Sequence, residues 1–282
     1  MLILDRIQVS LQLAHASLAE AWRRPRLWYF FAIYGIIAFF GLSYFDYFFS
    51  PGFVTPGFFA WVNSSQGLSA NLLEFIVMFV ILVSSACKPV AALYLAAALA
   101  WEYQNPQATV WSSIYHAICQ PALLIFAILA AAYGFYDLQG MTNNEYLIRM
   151  GGSFGAVLMH RISSMSVAMV VYQLLALFAL ILVWDMRNPI KIVQYNLQKI
   201  WQHFGLLLIG GAALFSYKLL VGFALRLGHA KIVALVAAPA HLHVLAQSSL
   251  TVLVSYFLYL LFFMIPMTIW PIYLVKVYHR TN

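Results

Sequence analysis

The chain has 282 residues, 64% of them hydrophobic and only 8% charged. A soluble domain carries about 25% charged residues, so this chain lacks the polar side chains to cover a water-facing surface. The net charge of +7 does not mark a nucleic-acid binder, because the basic residues are spread along the chain at the ends of apolar runs.

Long uninterrupted apolar runs exclude an outer-membrane barrel, whose strands alternate apolar and polar residues. The composition therefore predicts an all-α fold: a polytopic integral membrane bundle of about six transmembrane helices. A membrane helix needs about 20 apolar residues to cross about 30 Å of hydrocarbon. Six stretches qualify, near 28–46, 72–100, 114–136, 162–184, 204–225 and 245–275. The last contains Pro266 and Pro271, so a kink or a short break is expected there. No linker separates two folding units, so residues 1–282 read as a single membrane domain.

In chain order, the first 27 residues come before any span. Leu4, Ile7, Leu11, Ala14 and Leu18 recur at helical spacing, with Arg6, Gln12, His15 and Glu20 among them. This describes an amphipathic helix too polar to cross, lying along the inner membrane surface. No A-x-A-like cleavage site follows the first span, which would serve as an uncleaved signal anchor. Trp111, Ile114 and Ile118 form a fainter lead-in before the third span, and Ile190, Val193, Leu197 and Ile200 another before the fifth. The junctions rhyme as well: Trp22-Arg23-Arg24-Pro25-Arg26-Leu27, Gln120-Pro121-Ala122-Leu123 and Trp201-Gln202-His203-Phe204-Gly205-Leu206. The unit would be an interfacial helix, a span out, a loop and a span back, used three times; a generic amphipathic entry to each odd span is the alternative.

Lys and Arg set the orientation. Arg6, Arg23, Arg24, Arg26, Arg187, Lys191, Lys199, Lys276 and Arg280 fall on one side; Arg149, Arg161, Arg226 and Lys231 fall on the other. The richer side is cytoplasmic by the positive-inside rule, which puts both termini inside a bacterial cytoplasmic (inner) membrane. Residues 50–70, rich in Pro, Gly and aromatics, read as an outer interfacial loop. Residues 137–161 are the most polar stretch and read as a flexible outer loop.

The layout resembles that of poorly characterised six-span bacterial membrane proteins, and of the membrane domain found fused to glycerophosphodiester phosphodiesterases. The likeness is carried by the amphipathic lead-in Leu18–Arg26 and the paired spans that follow. It implies a helical membrane domain over most of the chain. It implies no phosphodiesterase activity, since the catalytic domain is missing, and it assigns no functional residues.

Lys88 is the first candidate for an intramembrane polar site, because a charge at the bilayer centre costs about 2.5–3.5 kcal/mol on insertion scales. Ser84 and Ser85 lie one turn before it, and Pro89 frees a backbone carbonyl. Gln173, midway along the fourth span, completes the set. The competing readings are a Lys88 side chain that reaches the headgroups and a Gln173 that joins helices. Glu74, Lys218, Asp46, Glu102, Asp137 and Asp185 fall at span ends and read as solvated or headgroup-facing charge. Cys87 and Cys119 read as small buried side chains. His229, His241 and His243 lack the further ligand that zinc normally requires, so no metal site is expected. His160, Ser163 and Ser164 lack an orienting carboxylate, and no phosphate-binding glycine motif occurs. No catalytic residue and no cofactor are expected.

Three function classes remain in order. A non-enzymatic accessory or assembly subunit of a membrane complex comes first, because a solute pathway needs several intramembrane polar groups. A transporter or permease component for a lipid or other apolar solute is second. Its exporter-half version expects a short protruding helix at 101–110. An intramembrane enzyme is third. The expected partners are the lipid bilayer and either other membrane proteins or further copies of this chain, with no nucleic acid.

Overall fold

The structure, a computed structural model, describes residues 3–36, 68–134, 171–172, 174–237 and 264–280. These residues are helical with no strand among them, as the composition predicts. They gather into two compact units, one of Met1–Gly35 with Ile200–Asn282 and one of Ile36–Lys199. No change in composition marks that division.

The first unit opens with α1, Ile3–Arg23. Pro25 then sets the first turn of a short 3-10 helix, Pro25–Trp28, at the position where a missing N–H costs nothing. α2, Tyr29–Ile36, follows directly. The Trp28 indole N–H donates to the Ala21 carbonyl at 2.9 Å and so closes the corner.

In the second unit, α3 runs from Leu68 to Gln104 with Pro89 inside it. Its C-terminal half buries Leu93, Leu95 and Ala97 to Ala100, and it packs against α4, Val110–Ile118. α4 starts in a capping box: the Thr109 hydroxyl accepts from the Ser112 N–H, and the Ser112 side chain answers the Thr109 N–H. After a break at Cys119 and Gln120 the chain turns by 82° into α5, Pro121–Gly134. The third span was expected near 114–136; the helix there is broken at Cys119 and Gln120, and its two pieces are long and apolar enough to cross only together. A proline has no N–H to continue the ladder of α4, and it disfavours helical geometry in the residue before it.

α6, Ala179–Asp185, also packs against α3. α7, Pro189–Ala237, is 49 residues long. Asn188 caps it through its Oδ1, 3.0 Å from the Ile190 N–H, with Pro189 in the first turn. α7 shows no break where the fifth lead-in meets its span, because Phe204-Gly205 stands where the earlier junctions carry proline. Residues up to Lys199 belong to the second unit and those from Ile200 to the first.

α8, residues 264–279, is helical through Pro266 and Pro271, so of the expected kink or short break there is no break among the described residues. Residues 271–275 are all buried. A proline removes one ladder bond, and packing on every side holds the helix in place despite that loss.

Counted over the described residues alone, no single helix is both long and apolar enough to cross a membrane; α4 and α5 together pass that test as a bent pair.

The three lead-ins share one burial register. Ser17, Ser113 and Asn196 stand at equivalent positions of the rhyming segments, and all three are fully buried. Four residues later come Ala21, Ala117 and Ile200, also buried, and next to them Trp22, Ile118 and Trp201, all exposed. The first two copies agree further. Pro25 and Pro121 open the next helix, while Leu27 and Leu123, and Phe30 and Phe126, are buried. Both serines donate to the carbonyl one turn back, Ser17 to Leu13 at 2.7 Å and Ser113 to Thr109 at 3.0 Å. The sequence rhyme thus has a packing counterpart.

Candidate functional site

The sequence-predicted polar site is only partly visible. Lys88 is half-buried on α3 and engaged in an interaction. The side chains of Ser84 and Ser85, and all of Gln173, lie outside the described residues, as do the side chains of Glu74, Lys218 and His229 and the whole of His160, Ser163, Ser164, His241 and His243. Among the described residues no group of three or more His, Cys, Asp or Glu side chains is placed to hold a metal ion.

Two expectations are corrected. Cys87 and Cys119 are exposed free thiols, not buried ones. Cys119 ends α4 at the bend, and Cys87 lies on an outward face of α3. Glu102 is not a solvated terminal charge; it is 1% exposed. It sits in the last turn of α3, the helix on which α4 and α6 pack, and it too is engaged there. The segment 101–110 holds the end of α3, a turn and the cap of α4. The protruding helix expected of an exporter half is not there.

Around that turn lies an aromatic cluster that the sequence did not announce. Trp101 stands against Trp184 of α6 with ring centroids 4.7 Å apart, and His116 of α4 stacks on Trp101 at 5.9 Å. His116 Nδ1 is 2.8 Å from the Ser112 carbonyl, and a carbonyl only accepts, so Nδ1 carries a proton and the ring is fixed. The Gln104 and Asn105 amides donate to the Ala100 and Trp101 carbonyls and so tie off the end of α3. Only packing brings Trp101, His116 and Trp184 together, so no spacing signal could have found them.

The buried polar side chains of the described core are mostly committed to structure. Asn196 is the clearest case. The chain leaves helical geometry at Leu177 and Phe178, and the Asn196 carboxamide enters the gap. Its Oδ1 accepts from the Phe178 N–H at 2.7 Å, and its Nδ2 donates to the Leu174 carbonyl at 2.6 Å. Those two backbone groups are the pair that a regular helix turn would join. The Phe178 carbonyl then accepts from Ile181 and Leu182 and restarts the helix as α6.

In the first unit, the Tyr273 hydroxyl on α8 donates to the Leu206 carbonyl of α7 and lies 2.8 Å from the Ser10 hydroxyl of α1, 2.8 Å also separating it from that carbonyl. A donor committed to Leu206 leaves the Ser10 hydroxyl as donor to Tyr273. Glu20 pairs with Arg24 at 3.2 Å and with Lys276 at 3.1 Å. These contacts fix the rotation of α1 about its own axis.

That rotation has a consequence. α1 buries Ser10, Ser17 and Ala21 while Ile7, Leu11, Leu18 and Trp22 face outward. α4 repeats the pattern, with Ser113 and Ala117 inside and Trp111, Tyr115 and Ile118 outside. α7 exposes Ile190, Leu197, Trp201, Phe204 and Leu208 along one stripe and buries Asn196 and His203. The tryptophans are the most exposed of these, at 77% for Trp22, 72% for Trp111 and 84% for Trp201. In water the apolar stripe would be driven inward. Each of these outward stripes, with its tryptophan, is a candidate functional surface.

No protein-family model, no curated protein and no solved structure matches the chain.

Proposed function

We propose that this chain is a non-enzymatic multi-pass protein of the bacterial cytoplasmic (inner) membrane, acting as an accessory or assembly subunit of a membrane complex. The lead-in helices lie on the cytoplasmic surface, with both termini on that side. The observation that carries the membrane reading is the outward apolar stripe on α1, α4 and α7. Fully covering one Leu, Ile or Trp contributes roughly 1.5–3 kcal/mol, and a lipid phase supplies that cover without rotating the helices. The bent pair α4 and α5, which together are long and apolar enough to cross, supports it too.

The subunit reading is favoured over transport by how the buried polar groups are used. Ser17, Ser113 and Asn196 are bonded to backbone and Ser10 to the Tyr273 hydroxyl, so they hold helices in place and do not line a path.

The test is purification of the full chain in nanodiscs from its native membrane. A stoichiometric complex with a membrane-protein partner, lost from cells when this chain is deleted, supports the reading. A solitary chain that moves a lipid or apolar solute between leaflets, or that arrives with a stoichiometric ATPase, overturns it.

A further inference from the structure

We infer that the outward stripe of α1, continued by Arg23 and Arg26, docks on the headgroup layer of an anionic phospholipid membrane. The inference rests on the membrane reading and names the lipid class for that surface.

Four observations carry it. First, the stripe of Ile7, Leu11, Leu18 and Trp22 is held outward by bonds on the other faces of α1: the Ser10 hydroxyl to Tyr273, and Glu20 to Lys276. It is therefore a fixed surface, and α1 is not free to roll and bury it. Second, Trp22 stands at the C-terminal end of the stripe, edge-on to Trp28. Tryptophan settles at the boundary between headgroups and acyl chains, where its ring is apolar and its N–H finds polar partners. Third, the charge is complementary. Between Ile3 and Trp28 the acidic residues are Asp5 and Glu20, set against Arg6, Arg23, Arg24 and Arg26. Glu20 is already matched by both Arg24 and Lys276. The excess is positive and sits beside Trp22, with Arg23 exposed and Arg26 half-buried and itself engaged in an interaction. Juxtamembrane arginines of this kind attract acidic lipid. Fourth, the stripe recurs at the equivalent positions of α7, where Ile190, Leu197 and Trp201 answer Leu11, Leu18 and Trp22 and Lys191 is exposed one residue after Ile190. Each stripe meets the same chemistry in a lipid layer, whereas a protein partner would need a matching groove for each.

The test uses the full chain in nanodiscs, of zwitterionic lipid alone or mixed with anionic lipid. The wild type minus Trp22→Phe fluorescence difference isolates Trp22, and lipids brominated at shallow or deep acyl carbons report its depth. A nitroxide on Leu11→Cys, in a Cys87→Ser/Cys119→Ser background, gives a second reading of depth that does not depend on Trp22. Native mass spectrometry compares lipid retained by wild type and by Arg23→Gln/Arg26→Gln. The expected result is strong quenching by shallow bromines, a nitroxide more accessible to oxygen than to a nickel chelate, and a several-fold preference for anionic lipid that the double variant loses. Trp22 and Leu11 insensitive to lipid quenchers, or contacts from them to a second copy or another protein, would overturn the inference. So would an unchanged anionic preference in the double variant. Failure of the membrane reading is a separate outcome: release of the chain by alkaline carbonate, and monodispersity without detergent.

Discussion

Replacing Asn196 tests whether one buried amide holds the broken turn between Leu174 and α6. Its two hydrogen bonds, at 2.7 Å to the Phe178 N–H and 2.6 Å from Nδ2 to the Leu174 carbonyl, are each worth about 1 kcal/mol net. Asn196→Leu keeps much of the volume and removes both. It leaves a buried donor and a buried acceptor, each costing about 1–3 kcal/mol if nothing replaces the lost partner. The two orphans are four residues apart, so they can bond each other if the turn closes into regular helix. That closure recovers one bond but shifts α6, and with it Trp184 against Trp101. The expected cost is about 2–4 kcal/mol, read as a lower midpoint of unfolding in mixed micelles, together with a change in tryptophan emission. Asn196→Asp should cost more, because a carboxylate can accept from Phe178 but cannot donate to Leu174, and its charge is buried. An Asn196→Leu variant with wild-type midpoint and unchanged emission would refute the reasoning.

Gly210→Ala and Gly211→Ala should differ in sign although they are neighbours on α7. A Cβ at Gly210 would meet the Tyr273 ring at 2.7 Å, a ring held by Ser10, Leu206 and a stack on Trp270, whereas nothing lies within 4 Å at Gly211. The first variant is expected to lose about 1–3 kcal/mol and the second to gain up to about 1 kcal/mol of helix propensity in the same unfolding assay. Tyr273→Phe removes a hydroxyl that joins α1 to α7 and should cost about 1–3 kcal/mol, with faster amide exchange in α1; unchanged exchange would show that the hydroxyl does not hold that helix. Thr109→Ala removes the α4 cap and should cost about 1 kcal/mol, whereas Thr109→Ser should retain most of it, both measured by the same unfolding midpoint.

The Trp-bearing stripe was partly legible. The three- and four-residue spacing of Ile7, Leu11 and Leu18 announces a helix with one apolar face, whatever lies against it. The spacing cannot say that the protein side of α1 would be Ser10, Ser17 and Ala21. Serines in a helix bond to the backbone one turn back, as Ser17 does to Leu13, and so can be buried without a partner of their own. Asn196 carries no such sign, because its role depends on a break eighteen residues earlier that is itself sustained by Asn196.

What the sequence by itself determined is local and compositional. Apolar content and long uninterrupted apolar runs point to helices, as the described residues are, and proline at 25 and 121 ends one helix and opens the next. What the tertiary structure decided is which face of each helix meets protein. Pro271 lies inside a continuous α8 where the side chains of residues 271–275 are enclosed; Glu102 is buried because α4 and α6 both pack on α3. Periodicity fixes that a helix has two faces, and only contacts made at long sequence separation, such as Ser10 to Tyr273, select which one turns inward.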